Sequence, residues 1–188
     1  MNLSNKLTIT RIILTFVFMF FLFSKGVYAK SAALAVFALA SFTDYYDGYL
    51  ARKTGQITNL GKILDPIADK VLVLAAFLVL VQMGIIEAWM VVVIIMREFF
   101  ITGVRLVAMS RGIVLAAEQG GKHKTVSQVV AIFLMLIFLV AKEASISTWT
   151  PALEIWFKRI IFYIMFVVVI LTVTSAVSFL KKNEKLLS

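Results

Sequence analysis

Cysteine is absent from the chain, and histidine occurs once, at His123. These two gaps exclude disulfides, thiol nucleophiles and Cys-ligated zinc, and they leave Ser-His chemistry with little to work from. Proline occurs only twice, and no polar, Gly/Ser-rich or low-complexity tract interrupts the 188 residues. Nothing therefore marks a linker, and residues 1–188 read as one domain. Charge is scarce as well, at 15% Asp, Glu, Lys and Arg. What fills the chain is apolar: 62% of it comes from the AVILMFWYC set, against roughly 45–50% in soluble domains. A soluble globule of this size needs a mostly polar surface, which such a composition does not supply, so the expected class is an integral membrane protein. The few charges lean one way, with 19 Lys and Arg against 10 Asp and Glu and a net charge of +9. A basic, apolar chain suits membrane lipids and phosphate-bearing ligands, and no nucleic-acid partner is expected.

A membrane span needs about 20 predominantly apolar residues. By that measure spans are expected near 8–24, 31–50, 63–83, 86–108, 125–143 and 159–180, giving an all-α bundle of six transmembrane helices. Lys6 and Arg11 precede the first apolar run as they would in a signal peptide, but no small-residue cleavage site follows Phe23. The expectation is a mature helix preceded by an amphipathic interfacial segment, Met1 to Thr10. Six spans put both termini on one side. Only Lys25, Lys30, Lys142, Lys158 and Arg159 of the 19 basic residues fall on the other, so the termini, the 51–62 loop and the 109–124 loop are expected in the cytoplasm.

The four aspartates, Asp44, Asp47, Asp65 and Asp69, sit on two segments that otherwise read as spans. A charge at that depth costs at least about 2.5–3.5 kcal/mol, which makes the set a functional signal. Asp44 and Asp47 are three apart, with Gly48 and Ala51 continuing their face; Gly61, Asp65 and Asp69 follow one another by fours along the next helix. Two helices joined by a short loop pack antiparallel, so the carboxylate pairs are expected to face each other. Facing carboxylates raise one another's pKa unless cations intervene. Hard oxygen ligands suit two Mg²⁺ or Mn²⁺ ions, and a two-metal clamp serves displacement at phosphorus. The competing reading pairs the aspartates with Arg52, Lys53, Lys62 or Lys70 as helix-end salt bridges and leaves the glycines as packing positions. The expense of burying four acids favours the metal site.

The run Asp44-Tyr45-Tyr46-Asp47-Gly48-Tyr49-Leu50-Ala51-Arg52, followed by Gly61, Asp65 and Asp69, resembles the CDP-alcohol phosphotransferase signature DxxDGxxAR…GxxxDxxxD, with every signature residue present. The resemblance implies that an alcohol attacks the β-phosphorus of a CDP-linked lipid and releases CMP. It implies metal at Asp44, Asp47 and Asp65, and Asp69 as general base and further metal ligand. The segment Asn5-Lys6-Leu7-Thr8-Ile9-Thr10-Arg11 is similar to the N-terminal motif of the bacterial branch that makes phosphatidylglycerophosphate, although Ser4 stands where that branch usually carries proline. By this likeness Asn5, Thr8, Arg11, Gly48, Ala51, Arg52 and Gly61 contact CDP-diacylglycerol, the acceptor is glycerol 3-phosphate, and the enzyme is a homodimer of the bacterial cytoplasmic membrane. Serine, inositol phosphate or phosphatidylglycerol stand as alternative acceptors. A cation transporter is the reading from another class, but its acids belong near the bilayer midplane in repeated halves, and no repeat appears.

Arg97, Arg105, Arg111, Lys122 and Lys124 collect at or below the ends of the fourth and fifth spans. Arg105, Arg111, Lys122, Lys124 and Thr125 are read as a pocket for the acceptor phosphate, against the simpler reading that cytoplasmic loops collect cations whatever they do. Glu98 is expected to offset one of these cations or cap the pocket, with no partner nameable. His123, between two lysines, reads as a solvated or phosphate-contacting loop residue. The Phe-rich runs at 16–23 and 161–179 read as lipid-facing, and Trp89, Trp149 and Trp156 as an interfacial belt.

Overall fold

The structure, a computed structural model, describes the backbone of residues 3–54, 59–110, 112, 119–145 and 148–187, with side chains at 9–43, 70–110, 112, 124–145 and 148–184. Among these residues the fold is entirely helical, with no strand. The elements are α1 (Leu3–Phe23), α2 (Val27–Thr54), α3 (Asn59–Gln82), α4 (Ala88–Ser110), α5 (Gln119–Ala144) and α6 (Pro151–Leu187).

Each apolar stretch lies in its own helix, and most helices overrun the stretch at a polar end, because hydrogen bonding along a helix continues where the side chains turn polar. Lys122, His123 and Lys124 consequently belong to the first turns of α5 and not to a loop. The segment read as interfacial is continuous with the first apolar run: α1 passes from Leu3 to Phe23 without a break, with no Gly or Pro to end it. Lys124–Ala144 and Pro151–Glu184 are long and apolar enough to cross a membrane, and Ile9–Phe23, Val27–Thr43 and Lys70–Gln82 are shorter apolar helices.

The packing joins two groups. α1 lies against α2 and α3, α6 lies against α4 and α5, and the groups are connected by α2 packing on α5 and by α3 packing on α4 and α5. Phe37 of α2 sits between Phe18 of α1, at 5.5 Å between ring centroids, and Phe133 of α5, at 5.1 Å. Phe77, Leu80, Met90, Ile94, Ile132, Met135 and Met165 complete a fully buried centre. The polarity is reversed relative to a soluble domain. Phe16, Phe20, Met96, Phe99 and Tyr163 are exposed, whereas Arg11, Lys30, Glu98 and Lys124 are buried. An apolar exterior around buried charge is what a lipid surround favours.

At the end of the bundle where α1 meets α2, polar groups close the helix termini. Lys30 Nζ donates to the Leu22 carbonyl at 2.6 Å and the Ser24 carbonyl at 2.9 Å, satisfying acceptors that the last turn of α1 leaves open. The Gly26 N–H points to Glu143 Oε1 of α5 at 3.4 Å. Thr150 caps α6, its Oγ1 accepting from the Leu153 N–H at 3.3 Å, with Pro151 in the first helical position. Trp89 and Trp156 are exposed as an interfacial belt requires. Trp149 differs: it stacks on Phe157 at 5.4 Å and lies 5.6 Å from Phe138, filling the α5–α6 junction.

α3 ends at Gly84, whose φ is +66°, with the Gly84 N–H on the Val81 carbonyl at 2.9 Å and the Ile85 N–H on the Leu80 carbonyl at 3.0 Å. This is the paired bonding of a Schellman cap, which requires a left-handed residue. A Cβ at Gly84 would meet nothing within 4 Å, so Gly84→Ala should cost only the backbone strain, about 1–2 kcal/mol. A thermal melt in detergent should show that loss, with turnover at low temperature unchanged.

Candidate functional site

Asp44 and Asp47 lie in the last turns of α2, and Asp65 and Asp69 in the first half of α3. Both segments are helical, so spacings of three and four keep each pair on one face of its helix. α3 continues through Pro66, which has no N–H for the Lys62 carbonyl and leaves that acceptor without its helical partner in the turn before Asp65. α2 and α3 touch, and α1, which carries Asn5, Thr8 and Arg11, packs on both. The structure thus gathers the three helices that bear all the candidate metal and CDP-lipid residues. Arg11 is buried, and its carbonyl accepts from Thr15 Oγ1 at 2.9 Å. The side-chain settings of Asn5, Thr8, Asp44, Asp47, Gly48, Ala51, Arg52, Gly61, Asp65 and Asp69 lie outside the described residues, as do those of Arg111, Lys122 and His123. The facing of the two carboxylate pairs lies outside them too.

Directly after Asp69 the described side chains resume at Lys70. Its Nζ reaches α4, lying 3.5 Å from Glu98 Oε2, donating to the Glu98 carbonyl at 3.2 Å and contacting Thr102 Oγ1. Glu98 is only 6% exposed. Its Oε1 also receives Arg97 at 3.3 Å and the ammonium of Lys124 from α5. Arg97 in turn donates to Ser175 Oγ of α6 at 3.0 Å. One carboxylate is therefore the meeting point of α3, α4 and α5, with α6 attached through Arg97.

The residues read as an acceptor pocket separate into different settings. Lys124 is 4% exposed and held on Glu98. Arg105 is exposed and lies over the Phe179 ring at 5.1 Å, while Thr125 is exposed on the next position of α5. Arg97 and Arg105 share a face of α4, as their spacing of eight implies, and that face runs along Ser175 and Phe179, one turn apart on α6. In the sequence Lys70 reads only as an alternative partner for the aspartates, and Phe179, which reads as lipid-facing, is buried against Arg105; Ser175 is not singled out there. Ser175 had a signal: Thr172, Thr174 and Ser175 interrupt an apolar run, as polar residues do where membrane helices meet.

The apolar-coated helical bundle thus carries its paired acids on two touching helices, with a half-buried cation, Lys70, directly after them and a buried one, Lys124, on α5. A sequence model described as CDP-alcohol phosphatidyltransferase matches residues 1–174. The CDP-diacylglycerol--glycerol-3-phosphate 3-phosphatidyltransferase of Bacillus subtilis is 40% identical over 194 aligned positions, covering 97% of this chain and 95% of the relative. The probable phosphatidylglycerophosphate synthase of Mycobacterium tuberculosis is 42% identical, covering 72% of this chain and 66% of its own length. A Rickettsia typhi protein bearing the same name as the Bacillus relative is 33% identical, covering 72% of this chain and 76% of its own. The chain belongs to the CDP-alcohol phosphatidyltransferase family.

The Arg97–Ser175 contact is the hydrogen bond that carries α6 into the ion cluster. Ser175→Ala should lower stability by about 0.5–1.5 kcal/mol, measured by unfolding in mixed micelles.

Proposed function

We propose that the protein transfers the phosphatidyl group of CDP-diacylglycerol to sn-glycerol 3-phosphate, yielding phosphatidylglycerophosphate and CMP. The observation that carries this reading is the complete acidic signature on two touching helices, α2 and α3. The names borne by the Bacillus and Rickettsia relatives support the choice of acceptor.

The donor set fits a divalent-cation site. It consists of four carboxylates with no imidazole or thiolate near them in sequence, on helices that meet, and this is the chemistry that Mg²⁺ or Mn²⁺ prefers. Asp44, Asp47, Asp65 and Asp69 would hold two such ions. When bound, the ions supply charge neutralisation for the pyrophosphate and for the oxygens entering and leaving phosphorus. Asp69 takes the proton from the acceptor hydroxyl as that oxygen attacks the β-phosphorus. The new O–P bond forms while the bond to CMP breaks, and CMP leaves with the electron pair. Asn5, Thr8, Arg11, Gly48, Ala51, Arg52 and Gly61 hold the CDP lipid, the small residues leaving space beside the backbone. Arg105, Arg111, Lys122, Lys124 and Thr125 receive the acceptor phosphate, where charge-assisted hydrogen bonds favour a phosphorylated alcohol.

In this reading the six helices span the bacterial cytoplasmic membrane, the start of α1 lies at the interface, both termini and the site face the cytoplasm, and the working form is a homodimer. The donor slides in from the lipid while the soluble acceptor arrives from water. CMP release by protein purified in detergent, supplied with CDP-diacylglycerol and a panel of acceptors, tests the reaction directly. Glycerol 3-phosphate should be preferred, and preference for serine or inositol phosphate would move the protein to another branch.

Excess chelator should abolish turnover and added Mg²⁺ or Mn²⁺ restore it. Asp44→Asn, Asp47→Asn and Asp65→Asn should each eliminate activity and weaken metal binding. Asp69→Asn should lower kcat while leaving donor binding largely intact; an active Asp69→Asn enzyme would remove that residue as the base.

Sidedness has its own test, helped by the lack of native cysteine. A cysteine at Ser110 should react with an impermeant thiol reagent only from the cytoplasmic side, and one at Thr148 only from outside. The reverse pattern would overturn the orientation.

A further inference from the structure

Glu98 divides its two oxygens between helices. Oε1 takes Lys124 of α5, together with Arg97, and Oε2 lies 3.5 Å from Lys70 of α3. Lys70 is the residue after Asp69, and its Nζ is held additionally by the Glu98 carbonyl and Thr102 Oγ1. Adjacent helical residues stand about 100° apart around the axis, so anchoring Lys70 on α4 sets the rotation of the α3 turn that carries Asp69. The same carboxylate sets the place of the Lys124 ammonium, with both side chains buried. On the reading under "Proposed function", Asp69 serves the attacking hydroxyl and Lys124 the phosphate at the other end of the same acceptor. The separation of those two groups then has to match the span of one small molecule, and small errors of placement are expensive in rate.

We infer that Glu98 is the positioning residue for the acceptor: its carboxylate sets the spacing between the α3 turn of Asp69 and the Lys124 ammonium. Glu98 touches neither the donor nor the reacting atoms. It acts through Lys70 and Lys124. A merely structural ion pair predicts loss of stability with donor and acceptor kinetics affected alike. A positioning role predicts a selective effect on the acceptor.

The experiment measures KM for both substrates, kcat and the thermal midpoint for wild type, Glu98→Gln, Glu98→Asp, Lys124→Ala and Arg111→Ala in detergent. Glu98→Gln should raise the KM for glycerol 3-phosphate by about tenfold or more while the donor KM stays within about twofold. Glu98→Asp retains the charge one methylene short, so its acceptor KM should fall between those of wild type and Glu98→Gln. If Glu98→Gln does not fold, Glu98→Asp decides alone, and a wild-type acceptor KM in that variant would overturn the inference. It would also be overturned by donor and acceptor KM values rising together, or by Glu98→Asp and Glu98→Gln behaving identically. If Arg111→Ala and Lys124→Ala raise the acceptor KM but the Glu98 variants do not, the acceptor pocket stands and the positioning role fails. If neither cation variant changes the acceptor KM, the pocket itself is wrong and the inference falls with it.

Discussion

A carboxylate buried in an apolar bundle persists only where cations meet it, and Glu98 has three of them, from α3, α4 and α5. Removing one member of such a set strands the others and costs about 3–5 kcal/mol, yet replacing a whole ion cluster by packed apolar groups is often neutral. Net stability is therefore a weak reason for its presence. Its structural content is orientation, because Lys70 and Lys124 reach the same carboxylate only at one rotation of their helices.

The apolar core lacks that directionality. Side chains such as Phe37, Ile94 and Met135 fill the interior, but lipid tails are as apolar as they are, so packing alone holds membrane helices together with little preference for a given face. Directional contacts at the two ends supply the preference. Where α1 meets α2, Lys30 closes the last turn of α1 and Glu143 of α5 reaches Gly26. At the other end, the Glu98 cluster holds α3, α4 and α5, and Arg97 adds α6 through Ser175. The helices bearing the aspartates are caught between these fastenings, with α1 laid along both.

Much of this was legible along the chain. Six apolar stretches lie in six helices, and two of them, Lys124–Ala144 and Pro151–Glu184, are long and apolar enough to cross a membrane. The aspartates stood out because acids are costly in segments that read as spans, and their spacings of three and four survive as helix faces. The boundaries were less legible: α5 begins at Gln119, since helical bonding does not stop where hydropathy does. Trp149, read as part of a belt with Trp89 and Trp156, turned inward because Phe138 and Phe157 offer it ring partners.

The chain by itself determined an all-helical apolar bundle, the acidic signature, and the presence of one acid among the cations of the fourth span, because these depend on residue type and local period. It did not determine where that acid would be spent. Lys70 and Lys124 stand 28 and 26 residues from Glu98, and Ser175 stands 78 from Arg97. Which of several cations reaches a given carboxylate depends on how helices rotate and slide against one another, and no local pattern encodes that. Only the tertiary packing decided that Lys124 lies buried on Glu98 while Arg105 of α4 lies exposed over Phe179 of α6.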